Sequence, residues 1–184
     1  MIITNFKLLL AAGVILISFG CKDDDDFAKE NIVDTYNIVS YKANTSVDLN
    51  NDKKTSTNLM DEIDILGKQD NFLEVRPKVN TIYFNFPLTI INLDYPSSPE
   101  GYADFVKYGF GTSTAISNKA IVIKDNSYTE NNYTGNKENK KNVFIENLKI
   151  LDNNRLSTNI TKSYYDFSTK QWIELNIEVI FQKN

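Results

Sequence analysis

Ile173-Glu174-Leu175-Asn176-Ile177-Glu178-Val179-Ile180-Phe181-Gln182 is the stretch that decides the fold. Ile173, Leu175, Ile177, Val179 and Phe181 share one face of an extended chain, and Glu174, Asn176, Glu178 and Gln182 share the other. A strict period of two, with one apolar and one polar face, marks an antiparallel strand that is buried on one side only.

Working back from this strand, the same signal recurs. Phe167 to Gln171 reads as a turn, and Leu156 to Phe167 as a strand. Asp152-Asn153-Asn154 separates that strand from another over Asn142 to Leu151, as a tight hairpin turn would. Ser127 to Thr134, Lys119 to Lys124 and Phe105 to Gly111 are short strands. Thr81 to Phe86 puts Ile82, Phe84 and Phe86 on one face, with Pro87 ending it, and Phe72 to Arg76 is stopped by Pro77. Ile32 to Lys42 is rich in β-branched and aromatic residues. Leu88 to Gly101 carries Pro96 and Pro99 and reads as a long irregular connection. The expected helical content is small: a turn at Phe27 to Asn31, and one or two turns over Asn58 to Leu66 with Leu59, Ile63 and Leu66 on one face. Seven to nine short strands with almost no helix predict an all-β domain, a barrel or a sandwich.

The other informative region is the N-terminus. Lys7 precedes twelve apolar and small residues, Leu8 to Phe19, then Gly20 and Cys21. That run is shorter than the roughly 20 residues a spanning helix needs and suits a signal peptide. Cys21 is the only cysteine in the chain, and Lys22 and four aspartates, Asp23 to Asp26, follow it. The stretch resembles bacterial lipoprotein signals, which end in a small residue and a cysteine that is acylated after cleavage. Ser18 and Phe19 depart from the usual pattern. The resemblance implies three parts: a signal peptide over 1–20, an acylated Cys21 with an acidic tether over 21–28, and a β domain over 29–184. The acidic run resembles those of surface-exposed outer-membrane lipoproteins of Bacteroidetes, and physically it is a solvated spacer.

Composition removes whole classes of function. The chain of 184 residues has no histidine. With Cys21 acylated there is no free thiol, so Ser-His-Asp and Cys-His catalysis, the usual zinc sites and iron–sulfur clusters are all without their ligands. Removing residues 1–20 leaves 19 basic against 24 acidic side chains, a charge of −5. That balance argues against nucleic acid. Lys137, Lys140 and Lys141 are broken up by Glu138 and Asn139 and read as a solvated loop. Gly109-Phe110-Gly111 lacks the third glycine and the lysine of a phosphate loop.

The opening Asp34-Thr35-Tyr36, followed by Ile38-Val39-Ser40-Tyr41, resembles the first strand of lipocalin-like domains, where Gly-x-Trp precedes a similar run. Here Asp34 and Tyr36 stand in for the glycine and the tryptophan. The segment Val47 to Asp52 and the closing Val179-Ile180-Phe181 are also similar to lipocalin-like lipoproteins of Bacteroidetes. The resemblance implies an antiparallel eight-stranded meander barrel with a short helix or loop at one end. Such a barrel is packed solid or holds one small ligand, depending on the side chains inside it.

Four sets of candidate site residues follow. Ile82, Phe84, Leu175 and Ile177 point inward and would line a pocket for a small apolar or amphipathic molecule. Tyr95, Tyr102, Phe105 and Tyr108 flank the long connection, where the mouth would lie; they either contact a ligand or pin the connection to the domain. Asp48, Asn50 and Asp52 have the spacing that begins a calcium loop, but Lys53 and Leu59 stand where glycine and a carboxylate should follow. The same residues favour a simple Asn/Asp turn. Asp61, Glu62 and Asp64 are carboxylates of the kind glycoside hydrolysis uses, though charge runs usually face solvent. The expectation is a non-enzymatic, exported lipoprotein. It binds a small apolar or amphipathic ligand or, ligand-free, serves as an accessory or docking module of an outer-membrane transport or glycan-capture complex; a third reading is a carbohydrate-binding or hydrolytic domain.

Overall fold

The computed structural model describes residues 32–68, 71–93, 101–117, 119–152 and 154–184. The signal, Cys21, the acidic tether, the turn expected at Phe27 to Asn31, and Tyr95 lie outside these residues.

Among the described residues, eleven strands form a single sheet. They are β1 (Asp34–Val47), β2 (Ser56–Asn58), β3 (Leu73–Arg76), β4 (Thr81–Asn92), β5 (Tyr102–Ile116), β6 (Ala120–Ile123), β7 (Ser127–Thr134), β8 (Lys137–Ile145), β9 (Leu148–Asp152), β10 (Arg155–Asp166) and β11 (Gln171–Lys183). The other regular elements among the described residues are two short 3-10 turns, Asp64–Gly67 and Pro77–Val79. The first carries Leu66 into the core beside Leu59 and Ile63, as their spacing suggested.

The pairings close a ring of hydrogen-bonded strands in the order β11, β1, β3, β4, β5, β6, β9, β10 and back to β11. Every pairing within that ring is antiparallel. The longest registers are β4 with β5, from Thr81↔Ser113 to Asn92↔Tyr102, and β10 with β11, from Arg155↔Gln182 to Asp166↔Gln171. The hairpin β7–β8 stands apart from this order. Its β8 pairs with β10 at Ile160↔Ile145 and Thr161↔Phe144, and its β7 pairs with β4 in parallel at Ile90↔Tyr133 and Ile91↔Thr134. The hairpin therefore links two members of the ring.

Several boundaries differ from the sequence reading. Pro87 does not end β4, which runs on to Asn92. Its carbonyl accepts the Tyr164 hydroxyl at 3.1 Å, so Pro87 turns its missing N–H away from β5. On that side β3 has already ended and β7 has not yet begun, and a proline there removes no ladder bond. The long connection shrinks accordingly, because Leu88 to Asn92 and Tyr102 onward are strand. Lys137, Lys140 and Lys141 belong to β8 rather than to a loop, each paired with β7. The strand expected over Asn142 to Leu151 breaks at Glu146 and Asn147 into β8 and β9. Asn147 marks the break, since its Oδ1 accepts the Ile123 N–H at 2.9 Å.

The main core fills the inside of the ring with Tyr36, Tyr41, Phe72, Phe84, Phe86, Tyr164, Leu175, Ile177 and Phe181 among others. A smaller cluster of Ile91, Tyr165 and Phe167 packs with Trp172 on another face. Adjacent residues Tyr164 and Tyr165 thus enter different clusters, because β10 is covered on both faces there.

Candidate functional site

Ile82, Phe84, Leu175 and Ile177 do point inward, and each has zero solvent exposure. Wherever a cavity wide enough for water touched them, they would carry accessible surface. They carry none, so these four are in close contact with their neighbours. Phe84 stacks on Phe86 with ring centres 5.4 Å apart, and Phe86 meets Phe181 at 6.4 Å.

The interior also holds a polar cluster, which the sequence reading missed. Glu130 on β7 and Lys162 on β10 form an ion pair with both side chains at zero exposure. Tyr128 donates its hydroxyl proton to Glu130 Oε1 at 2.8 Å. The Lys162 Nζ lies 5.1 Å from the centre of the Tyr164 ring. The Tyr164 and Tyr41 hydroxyls are 3.0 Å apart. Burial raises the Tyr41, Tyr128 and Tyr164 hydroxyls above the ordinary tyrosine range, and the neighbouring Glu130 pushes in the same direction. Burial lowers the Lys162 ammonium, against the pull of Glu130. Asn132, two positions from Glu130 and on the same face of β7, accepts the Thr89 N–H at 3.3 Å, while its Nδ2 has no protein partner. The one signal in the sequence was the alternation of Tyr128, Glu130 and Asn132 in β7, and a polar alternation on a hairpin looks like a solvent face.

The aromatic candidates separate. Phe105 is buried and Tyr102 is half-buried. Tyr108 is 37% exposed and stacks on Tyr128 at 5.5 Å, with Phe110 against the same ring at 4.5 Å. Tyr108 therefore caps the polar interior, with one face in solvent. Gly111 is needed for close approach: a Cβ there would stand 2.6 Å from the Tyr83 ring on the paired strand.

In the Asp48 loop one oxygen of each candidate residue accepts a backbone amide, while the buried Asp48 Oδ1 has no partner. Asp48 Oδ2 accepts the Lys53 N–H at 3.2 Å, Asn50 Oδ1 the Asp52 N–H at 3.0 Å, and Asp52 Oδ1 the Lys54 N–H at 2.8 Å. Asn51 and Lys53 take left-handed backbone angles, φ 64° and 70°. The bonds from Asn50 and Asp52 are successive Asx turns, and the one from Asp48 closes the loop five residues on. Among the described residues, no group of three His, Cys, Asp or Glu side chains is arranged to hold a metal ion.

The three remaining carboxylates face apart. Asp61 and Asp64 are at the surface, where Asp64 pairs with Lys68 at 3.3 Å. Glu62 is buried and accepts the Leu49 N–H at 2.9 Å. Burial raises its pKa, in part offset by that bond. Asp166 is the opposite case. It accepts the Asp48 N–H, both the N–H and the hydroxyl of Ser168, and both those of Thr169. Burial pushes Asp166 up, but these donors outweigh it and hold the carboxyl below its usual range.

The outer surface has open depressions. The largest described, about 780 Å³, is lined by Asn37, Met60, Leu66, Asn71, Gln182 and Asn184 among others. Asn184 Nδ2 donates to Asn71 Oδ1 at 2.8 Å there, and Asn37 Oδ1 has no partner.

No protein-family model, no curated protein and no solved structure matches this chain.

Proposed function

We propose that the chain is an exported lipoprotein, acylated on Cys21 and anchored in the outer membrane, whose β domain is a solid lipocalin-like barrel acting as a ligand-free accessory module. The acidic tether holds the domain off the membrane, and its outer surface docks to a membrane-protein partner. The observation that carries the reading is the packed interior: Ile82, Phe84, Leu175 and Ile177 are all at zero exposure. A binding barrel needs smaller inward side chains or an open lumen.

Two experiments test it. An environment-sensitive apolar dye titrated into the native domain is expected to show no saturable binding. Stoichiometric binding displaced by fatty acids would overturn the ligand-free reading. Cys21→Ser is expected to move the chain from the membrane to the soluble fraction, and its retention in the membrane would contradict the anchor.

A second reading has one observation of its own. Tyr108 remains 37% exposed on top of the Tyr128 ring, so a small planar or sugar-like ligand could stack there without entering the core. Tyr108→Ala would abolish such binding and leave the fold intact.

A further inference from the structure

Lys162 and Glu130 are 32 positions apart in sequence and are brought together at zero exposure. Their contact is direct, from Nζ to Oε2. A charged ammonium carries three donors and needs three acceptors when dry. Here the nitrogen has the Glu130 oxygen and the face of the Tyr164 ring. An uncharged nitrogen suits that donor count better. The other carboxyl oxygen, Oε1, already receives the Tyr128 hydroxyl. The contact also sits where the backbone hold is thin, since β7 joins β4 through two register pairs and β8 joins β10 through two.

We propose that Lys162 and Glu130 condense to an intramolecular amide that ties β7 to β10. The ion pair first neutralises itself, the ammonium passing a proton to the carboxylate. Burial favours that transfer by lowering the Lys162 pKa, against the opposing pull of Glu130. The Nζ lone pair then attacks Glu130 Cδ and forms the C–N bond. The Tyr128 hydroxyl, donating to Oε1, stabilises the negative charge that develops there, as an oxyanion-hole donor does. The Cδ–Oε2 bond breaks, and the departing hydroxyl takes a proton from nitrogen and leaves as water. One amine and one carboxylic acid give one amide and one water, with no oxidant, cofactor or other reactant. Holding the two groups in contact supplies an effective concentration on the order of 10⁵–10⁸ M, and the dry interior withholds the water that would reverse the step. The proposal rests on this cluster alone and does not depend on the ligand-free reading.

The test is a peptide map of the full chain purified from its own envelope, denatured and cut with trypsin. We expect the segment 125–137, which carries Glu130, joined to the segment 156–170, uncut after Lys162, at a mass lower by one water than the two together. Lys162→Arg keeps the charge, and the branched peptide should vanish from its map. The wild-type map decides the matter even if that variant does not fold. Separate, unmodified peptides with full cleavage after Lys162 in the wild-type chain would overturn the proposal.

Discussion

The interior has two halves built on different principles. Around Phe84, Phe86, Leu175, Ile177 and Phe181 it is apolar and its rings are stacked. Around Glu130, Lys162, Tyr41 and Tyr164 it is a buried polar cluster, with the partly buried Tyr128 hydrogen-bonded at its edge. The apolar half follows from period-two patterning and tolerates exchanges that keep volume. The polar half demands particular partners, because a buried charge left alone is far more costly than a lost methyl group. The contrast teaches how the hairpin β7–β8 finds its place. Apolar packing alone would let it slide by two residues, whereas the Glu130–Lys162 contact allows one register.

The largest expected effect breaks the polar half. Glu130→Ala strands Lys162 in a dry site and should cost about 3–5 kcal/mol for the ion pair alone, as read by chemical denaturation. A loss below about 1 kcal/mol would mean that water reaches the cluster and that the two halves do not differ. Leu175→Ala probes the apolar half and should cost about 2–5 kcal/mol, according to how far the neighbours close the gap. If Glu130→Leu combined with Lys162→Met costs much less than Glu130→Ala, the penalty belongs to the stranded charge rather than to lost volume.

Asp166 sharpens the comparison through pH. Its folded pKa lies below the unfolded value, so its contribution is fully present above about pH 4 and is lost as pH falls through the folded pKa. Asp166→Asn should therefore flatten the acid limb of the stability curve and lower stability at neutral pH. An unchanged acid limb would show that the Ser168 and Thr169 donors do not favour the charged form. The smallest effect is expected at the surface. Arg155 pairs with Asp152 at 2.8 Å with both side chains in solvent, and Arg155→Ala should leave the melting temperature unchanged within error.

How much of this was legible depends on which residues decide it. The alternation of Ile173 to Phe181 and the Asp152–Asn154 turn located β11 and the β9–β10 hairpin, because burial on one face leaves a period-two trace. Ser127–Thr134 was located end to end for the same reason. Pro87 misled, because a proline halts a strand only where its N–H would face a neighbour, and pairing partners are not written locally. The lysines of β8 misled because exposed strand and exposed loop share a composition. The Asp48 loop has the spacing that begins a cation loop, and the amides that donate to one oxygen of Asp48 and of Asp52 come from residues whose turn geometry the spacing alone does not give. Glu130 and Lys162 were out of reach, since nothing in the residues around either one announces a partner 32 positions away.

A ligand-free module requires a ring filled by the protein's own side chains. Native mass spectrometry of the mature chain, gently extracted from its host envelope, tests it most directly. A single mass is expected, equal to the polypeptide and its covalent acyl chains less the one water of the Lys162–Glu130 amide, with no further adduct. A reproducible additional mass of lipid or metabolite size, lost together with native structure, would contradict it.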